Sequence, residues 1–215
     1  MQERGIENQE KRKVGVLGHG AIGSVVAGEL AAGRVAGAEL VGMALRAERT
    51  GDELPTGPAL AIDELIDRCD LVVEAAGQAA LAAHGPDVLR AGCDLLAVST
   101  GALADESLFS SIVDAGPGRL YLCTGAIGGI DMIRAVRELG PIHEARITTT
   151  KNPRGLVQQR MSEDEAADLL AVTERTVLFE GRIEKLVTLF PSSTNVAATT
   201  ALALGAWDRL SGKVV

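Results

Sequence analysis

Residues 13 to 24 read Lys13-Val14-Gly15-Val16-Leu17-Gly18-His19-Gly20-Ala21-Ile22-Gly23-Ser24. A valine-rich run stops at a glycine, and small residues follow, so the stretch predicts a strand over Lys13 to Leu17, a glycine turn, and a helix over Ser24 to Ala32. Gly18, Gly20 and Gly23 have the spacing of a dinucleotide fingerprint. One glycine makes the tight turn, one lets the backbone approach a pyrophosphate, and one permits close helix-to-strand packing. The phosphates would meet Ala21 and Ile22 at the helix amino terminus, where unpaired amides and the positive end of the helix dipole favour negative charge. His19 sits in a turn that binds through backbone, and its side chain is expected to face solvent.

Outward from this unit the alternation continues. Strands are expected at Glu39 to Leu45, Asp70 to Ala75, Asp94 to Ser99 and Arg119 to Cys123, and helices at Ile62 to Arg68, Gln78 to Ala91 and Asp105 to Asp114. The stretch with Gly51, Pro55, Gly57 and Pro58 reads as a loop. Near-continuously apolar strands separated by helices predict a parallel sheet covered on both faces, an α/β domain of Rossmann type. Ligands in such sheets lie beyond the carboxyl ends of the strands. Three turns fall there: one with Ala76 and Gly77, one with Ser99 and Gly101, and one with Gly125 and Ala126. Their small residues would leave room for ribose and nicotinamide. The acidic residue that binds ribose hydroxyls belongs about 20 residues beyond the glycines, at the end of the second strand. Leu45-Arg46-Ala47 stands there instead. Arg46, with Arg49 nearby, could pair with a 2′-phosphate, while Glu48 turned inward would restore a preference for NAD, so NAD and NADP both stay open.

After residue 130 the pattern changes. A helix over Asp131 to Leu139 leads to an alternating strand over His143 to Thr150, which suits a sheet with one wet face. Ser162-Glu163-Asp164-Glu165 is a capping box, with a helix expected from Glu163 to about Phe179. Lys185 to Phe190 is a helix end or a strand. Val196 to Trp207 reads as an almost wholly apolar helix with Asn195 beside its start. Two domains are expected, residues 1–125 for the dinucleotide and 126–215 as a smaller α+β substrate or dimerisation domain.

Composition excludes several classes. The net charge is −8 and the only basic cluster is Lys11-Arg12-Lys13, which does not suit nucleic-acid binding. No window approaches about 18 consecutive apolar residues, and residues 1 to 10 are polar, so neither a membrane span nor a secretory leader is expected and the chain is placed in the cytoplasm. Cys69, Cys93 and Cys123 lie far apart in or beside apolar runs and read as buried thiols, with no metal site and no disulfide framework.

The motifs together resemble the L-aspartate dehydrogenases that supply iminoaspartate for NAD biosynthesis. The resemblance covers about residues 13 to 206. It runs through the glycine turn, Val73-Glu74-Ala75-Ala76-Gly77-Gln78, His84-Gly85, Ser99-Thr100-Gly101-Ala102-Leu103-Ala104-Asp105 and Gly125-Ala126-Ile127-Gly128-Gly129-Ile130-Asp131. It continues in Thr150-Lys151-Asn152-Pro153-Arg154-Gly155-Leu156, Val177-Leu178-Phe179-Glu180-Gly181 and Phe190-Pro191 to Asn195-Val196-Ala197-Ala198-Thr199. It implies reversible oxidative deamination of L-aspartate to oxaloacetate and ammonia with NAD or NADP. It implies nicotinamide-end contacts at Ala126 and Asn195. An asparagine there can give directional hydrogen bonds to a carboxamide, and a helix cap would account for it equally. Lys151 is a candidate for a substrate carboxylate, with Arg154 and Arg160 as weaker ones. Asn152 stands where the family tends to have proline, and Ser193 where it often has a second asparagine. The family's catalytic histidine lies beyond the asparagine motif and is not reached by Val215, so the second domain is expected to be incomplete. His19, His84 and His143 are not expected to replace it, and the catalytic residue stays unassigned. A catalytically inactive nucleotide-binding protein and a dihydrodipicolinate reductase-like imine reductase are the alternatives. The apolar helix at Val196 to Trp207, left partly uncovered by a short second domain, predicts a homo-oligomer, with a dimer as the guess.

Overall fold

The computed structural model describes residues 10–45, 53–158, 161–191 and 194–215. The chain divides into two compact units, the first formed by residues 1–99 and 107–122 and the second by residues 100–106 and 123–215.

The first unit alternates strand and helix. In chain order it holds β1 (Arg12–Leu17), α1 (Ala21–Ala31), β2 (Ala38–Ala44), β3 (Glu53–Leu54), β4 (Gly57–Leu60), α2 (Ile62–Arg68), β5 (Leu71–Glu74), α3 (Gln78–Arg90), β6 (Asp94–Ala97), α4 (Glu106–Val113) and β7 (Leu120–Leu122). The strands form one sheet in the order β3-β4-β2-β1-β5-β6-β7. All neighbouring pairs are parallel except β3 with β4. Val14, Val16, Met43, Val73, Ala27 and Leu30 pack as one buried cluster between β1, β2, β5 and α1. At about 2 kcal/mol for each large side chain withdrawn from water, this layer is what commits the apolar runs to a covered sheet. The amino-terminal edge is pinned by carboxylates. Asp70 accepts from the Lys13 amide at 2.7 Å, and Asp94 pairs with Arg12 while accepting from the Arg119 amide at 2.7 Å.

The chain order reverses about β1, whose neighbours are β2 on one side and β5 on the other. A crevice outside the carboxyl ends of the strands is a geometric consequence of that reversal.

The proline-glycine stretch is not all loop. Glu53–Leu54 and Gly57–Leu60 are strands, because the outer side of β2 takes Ala59 and Leu60 beside Met43 and Ala44. Pro58 is tolerated near the sheet edge, where a missing amide costs little.

The second unit contains α5 (Ile130–Leu139), β8 (Ala145–Thr149), α6 (Glu163–Leu170), β9 (Phe179–Arg182), α7 (Ile183–Leu189), α8 (Asn195–Leu204) and β10 (Leu210–Val214). Its sheet has the order β8-β10-β9, with β10 parallel to β8 and antiparallel to β9. Leu156, Ile183, Leu186, Val187, Ala198 and Ala201 lie at the centre of its core.

Three expectations need correction here. The helix begun by the Ser162 capping box ends at Leu170, not Phe179. Val172, Thr173, Thr176 and Val177 are β-branched and lose side-chain freedom in a helix. The backbone beyond them is taken by the sheet instead, with the Leu178 amide donating to the Val214 carbonyl at 2.9 Å. The apolar helix ends at Leu204, because Gly205 adopts a left-handed conformation, φ +63°, that closes its last turn. It is also covered: Ala197 to Ala201, Ala203 and Leu204 are buried within the unit's own core, so an uncovered helix gives no argument for an oligomer.

Of the cysteines, Cys93 is buried and Cys69 and Cys123 are half-buried. Burial pushes the Cys69 thiol up to about 12 and the Cys93 thiol up to about 11. Both are neutral and unreactive near pH 7.

Candidate functional site

The crevice at the end of β1 is a cleft of about 620 Å³, walled by the glycine turn, the end of β2 at Ala44 and Leu45, Ala75 and Ala76 after β5, and the first half of α3. The three glycines of the turn have three separate reasons to be glycine. Gly18 has φ +99°, and a Cβ there would lie 2.8 Å from the Cα of Ala76. Gly23 faces backbone, since its Cβ would stand 2.2 Å from the Gly18 carbonyl oxygen. Gly20 differs. Its φ is −85°, open to any residue, and a Cβ there would meet nothing within 4 Å. Gly20 is exposed, and the backbone beside it is open to approach.

α1 begins at this point without a side-chain cap and without an acidic residue in its first turn. Ala21 and Ile22 are exposed. The first amides of a helix have no partner within it, so an uncapped start beside an open glycine suits an anion. His19 is half-buried. It lines the cleft, and its Nε2 is buried with no hydrogen-bond partner among the described residues. An orphaned imidazole nitrogen and an unfilled cradle fit a polar ligand of dinucleotide type. His84 of α3 lines the same cleft.

The turn after β5 is held by a residue that sequence reasoning quoted without giving it a role. Glu74, the last residue of β5, is fully buried. Its Oε1 accepts from the amides of Ala76 at 2.8 Å and Gly77 at 2.9 Å and from the Ser99 hydroxyl at 2.9 Å, and its Oε2 accepts from the Ser99 amide at 3.0 Å. Ala76, Gly77 and Ser99 are thus brought together around one carboxylate. The available signal was an acidic side chain closing the apolar strand Leu71-Val72-Val73-Glu74.

Gly101 belongs to the second unit, in a 3₁₀ turn over Thr100–Ala104. Its amide donates to Asn195 Oδ1 at 3.2 Å. The Thr100 hydroxyl donates to the Asn195 carbonyl at 3.0 Å and lies 2.9 Å from the Thr199 hydroxyl, which reaches the Cys123 carbonyl at 3.2 Å. The N-cap position of α8 is Thr194, whose side chain gives no cap bond. With Oδ1 engaged, the Asn195 side chain has its NH₂ group to offer as donor. Ala126 is exposed in the loop before α5, and Gly125 beside it packs against Val196.

Lys151 follows β8, and its amide donates to the Val215 carbonyl at 2.9 Å. It lines a groove of about 290 Å³ with Thr150, Glu174, Arg175 and Thr176. Arg175 was not anticipated, because 24 residues separate it from Lys151 in the chain. Arg154 does not line this groove. Its amide is bonded by Asn152 Oδ1 at 3.0 Å, so Asn152 caps the short turn Pro153–Gly155. Arg46, Arg49, Arg160 and Ser193 lie outside the described residues. Among the described residues no group of three His, Cys, Asp or Glu side chains could hold a metal, and no helix is long and apolar enough to cross a membrane.

A doubly wound sheet with a glycine cradle at its reversal point, followed by a smaller mixed sheet, defines a nicotinamide-dinucleotide oxidoreductase. Residues 18–117 match the family model for the homoserine dehydrogenase NAD binding domain, and residues 131–215 match that for the aspartate dehydrogenase C-terminal domain. The chain is 35% identical to the L-aspartate dehydrogenase of Methanosarcina barkeri over 94% of its own length and 78% of that protein's. It is 34% identical to that of Methanosarcina acetivorans with the same coverage. The crystal structure of aspartate dehydrogenase from Thermotoga maritima superposes with a TM-score of 0.72 at 25% identity, covering 94% of this chain and 77% of that one. This chain belongs to the L-aspartate dehydrogenase family.

Proposed function

We propose that the protein interconverts L-aspartate and oxaloacetate through iminoaspartate. L-aspartate, NAD(P)⁺ and water give oxaloacetate, ammonium, NAD(P)H and a proton, and the iminoaspartate serves pyridine-nucleotide synthesis. The observation that carries this reading is the pairing of an open glycine cradle with a second unit that matches the aspartate dehydrogenase C-terminal domain. When bound, the dinucleotide supplies a hydride acceptor or donor. Gly18, Gly20 and the first turn of α1 would hold its pyrophosphate, and the small walls at Ala75 and Ala76 would admit its ribose. Ala126 and the Asn195 NH₂ group are the proposed partners of the carboxamide end. Lys151, with Arg175 in the same groove, offers the cationic pair that a dicarboxylate substrate calls for.

Either cofactor form suits this cleft, and Arg46, directly after the lining residue Leu45, is proposed to admit a 2′-phosphate. Arg46→Ala should weaken NADPH binding about tenfold and leave NADH unchanged, as expected for loss of one charge-assisted pair. The test of the reaction is coenzyme oxidation with oxaloacetate and ammonium, followed by nicotinamide absorbance. Turnover that requires both is expected. Coenzyme binding without ammonium-dependent turnover overturns the reaction while leaving the cleft.

A further inference from the structure

We propose that Glu74 is a positioning residue of the coenzyme cleft: its carboxylate fixes the turn Ala75–Gly77 as the wall opposite Gly18 and so sets the affinity for the dinucleotide. The proposal rests on reading this cleft as the dinucleotide site.

Three observations carry it. A carboxylate with no solvent exposure is costly to bury unless its oxygens are satisfied, and here four donors converge on it. Three are backbone amides, two of them from the turn itself, so the charge organises main chain. The held turn is also the tight side of the cleft, because the Ala76 Cα lies 2.8 Å from where a Gly18 Cβ would stand. Gly77, at φ +110°, could not keep this path with a side chain, which leaves the turn dependent on its glycine and on Glu74. Ala76 and Gly77 lead into α3, with Gly77 at its N-cap, so the carboxylate fixes the chain at the entrance of that helix.

The experiment titrates the full chain with NADH and NADPH, following nicotinamide fluorescence, for wild type, Glu74→Gln, Ser99→Ala and Ile112→Ala. Thermal melting is recorded in parallel. Glu74→Gln keeps the shape, but its NH₂ group faces donors. It should raise Kd for both coenzymes about tenfold, the scale of a lost hydrogen bond to a charged group. Ser99→Ala removes one of the four bonds and should raise Kd about threefold. Ile112→Ala opens a cavity under α4, lowers Tm, and should leave Kd at the wild-type value. A Glu74→Gln protein that melts early yet binds both coenzymes like wild type overturns the proposal. If Glu74→Gln does not fold, an unchanged Kd in Ser99→Ala overturns it. Failure of wild type to bind either coenzyme is a different result, which removes the cleft assignment and this proposal with it.

Discussion

α1 and α3 start alike and end up opposite. Each follows a strand of the same sheet through a turn containing glycine, and neither has a cap from its own N-cap side chain. At α3 the chain supplies its own anion, the Glu74 carboxylate, to the amides of Ala76 and Gly77. At α1 none of the described residues does so, and Gly20 faces open space. A helix start without an acid of its own keeps its first amides available to an anion. α6 is the ordinary case, completed by Ser162 and Glu165 in a reciprocal box.

The comparison can be broken in graded ways. Gly23→Ala forces a methyl group to within 2.2 Å of the Gly18 carbonyl, and should destabilise the first unit by about 3 kcal/mol or more, read from denaturant unfolding. Gly20→Ala should leave unfolding nearly unchanged, because the methyl group meets no protein atom, while raising the coenzyme Kd about a hundredfold, since it occupies the phosphate's place. An Ala variant that binds as wild type does would remove the distinction between α1 and α3. Ala21→Asp gives α1 the acid it lacks. The helix should gain about 0.5 kcal/mol from its dipole while coenzyme affinity falls about tenfold, so stability and binding should move in opposite directions. Ser162→Ala, the control at a completed start, should cost about 1 kcal/mol in unfolding with no change in Kd.

The first unit was readable because its evidence is local. A valine run, a glycine turn and a small-residue helix lie within 20 residues of one another, and the same grammar recurs up to β7. The exceptions depended on neighbours. Gly57–Leu60 becomes a strand because β2 offers it an edge, and Glu74 is an anchor because Ser99 arrives 25 residues later. The second unit was harder for that reason throughout. Val172 to Leu178 was carried into the helix begun at Ser162 despite its β-branched residues, and its end pairs with Val214. Leu210–Val214 was not recognised as a strand, since its pattern is too short to register without Arg146 and Glu180 alongside. Asn195 carried a double reading, and its actual partner came from a distant turn: its Oδ1 accepts from the Gly101 amide, while Thr194 holds the N-cap position.

Strand order has a consequence for synthesis. In the first unit, β1 and β2 can pair as soon as both have left the ribosome, and β5, β6 and β7 then add outward in the order they are made. The second sheet cannot grow that way, because β8 and β9 meet only through β10. β8 and β9 must wait, without a strand partner, until Leu210–Val214 emerges, at translation speeds an interval of about three to thirteen seconds from β8 to β10. During that time the apolar faces of Ile147 and Phe179 are exposed to chaperones and to other nascent chains.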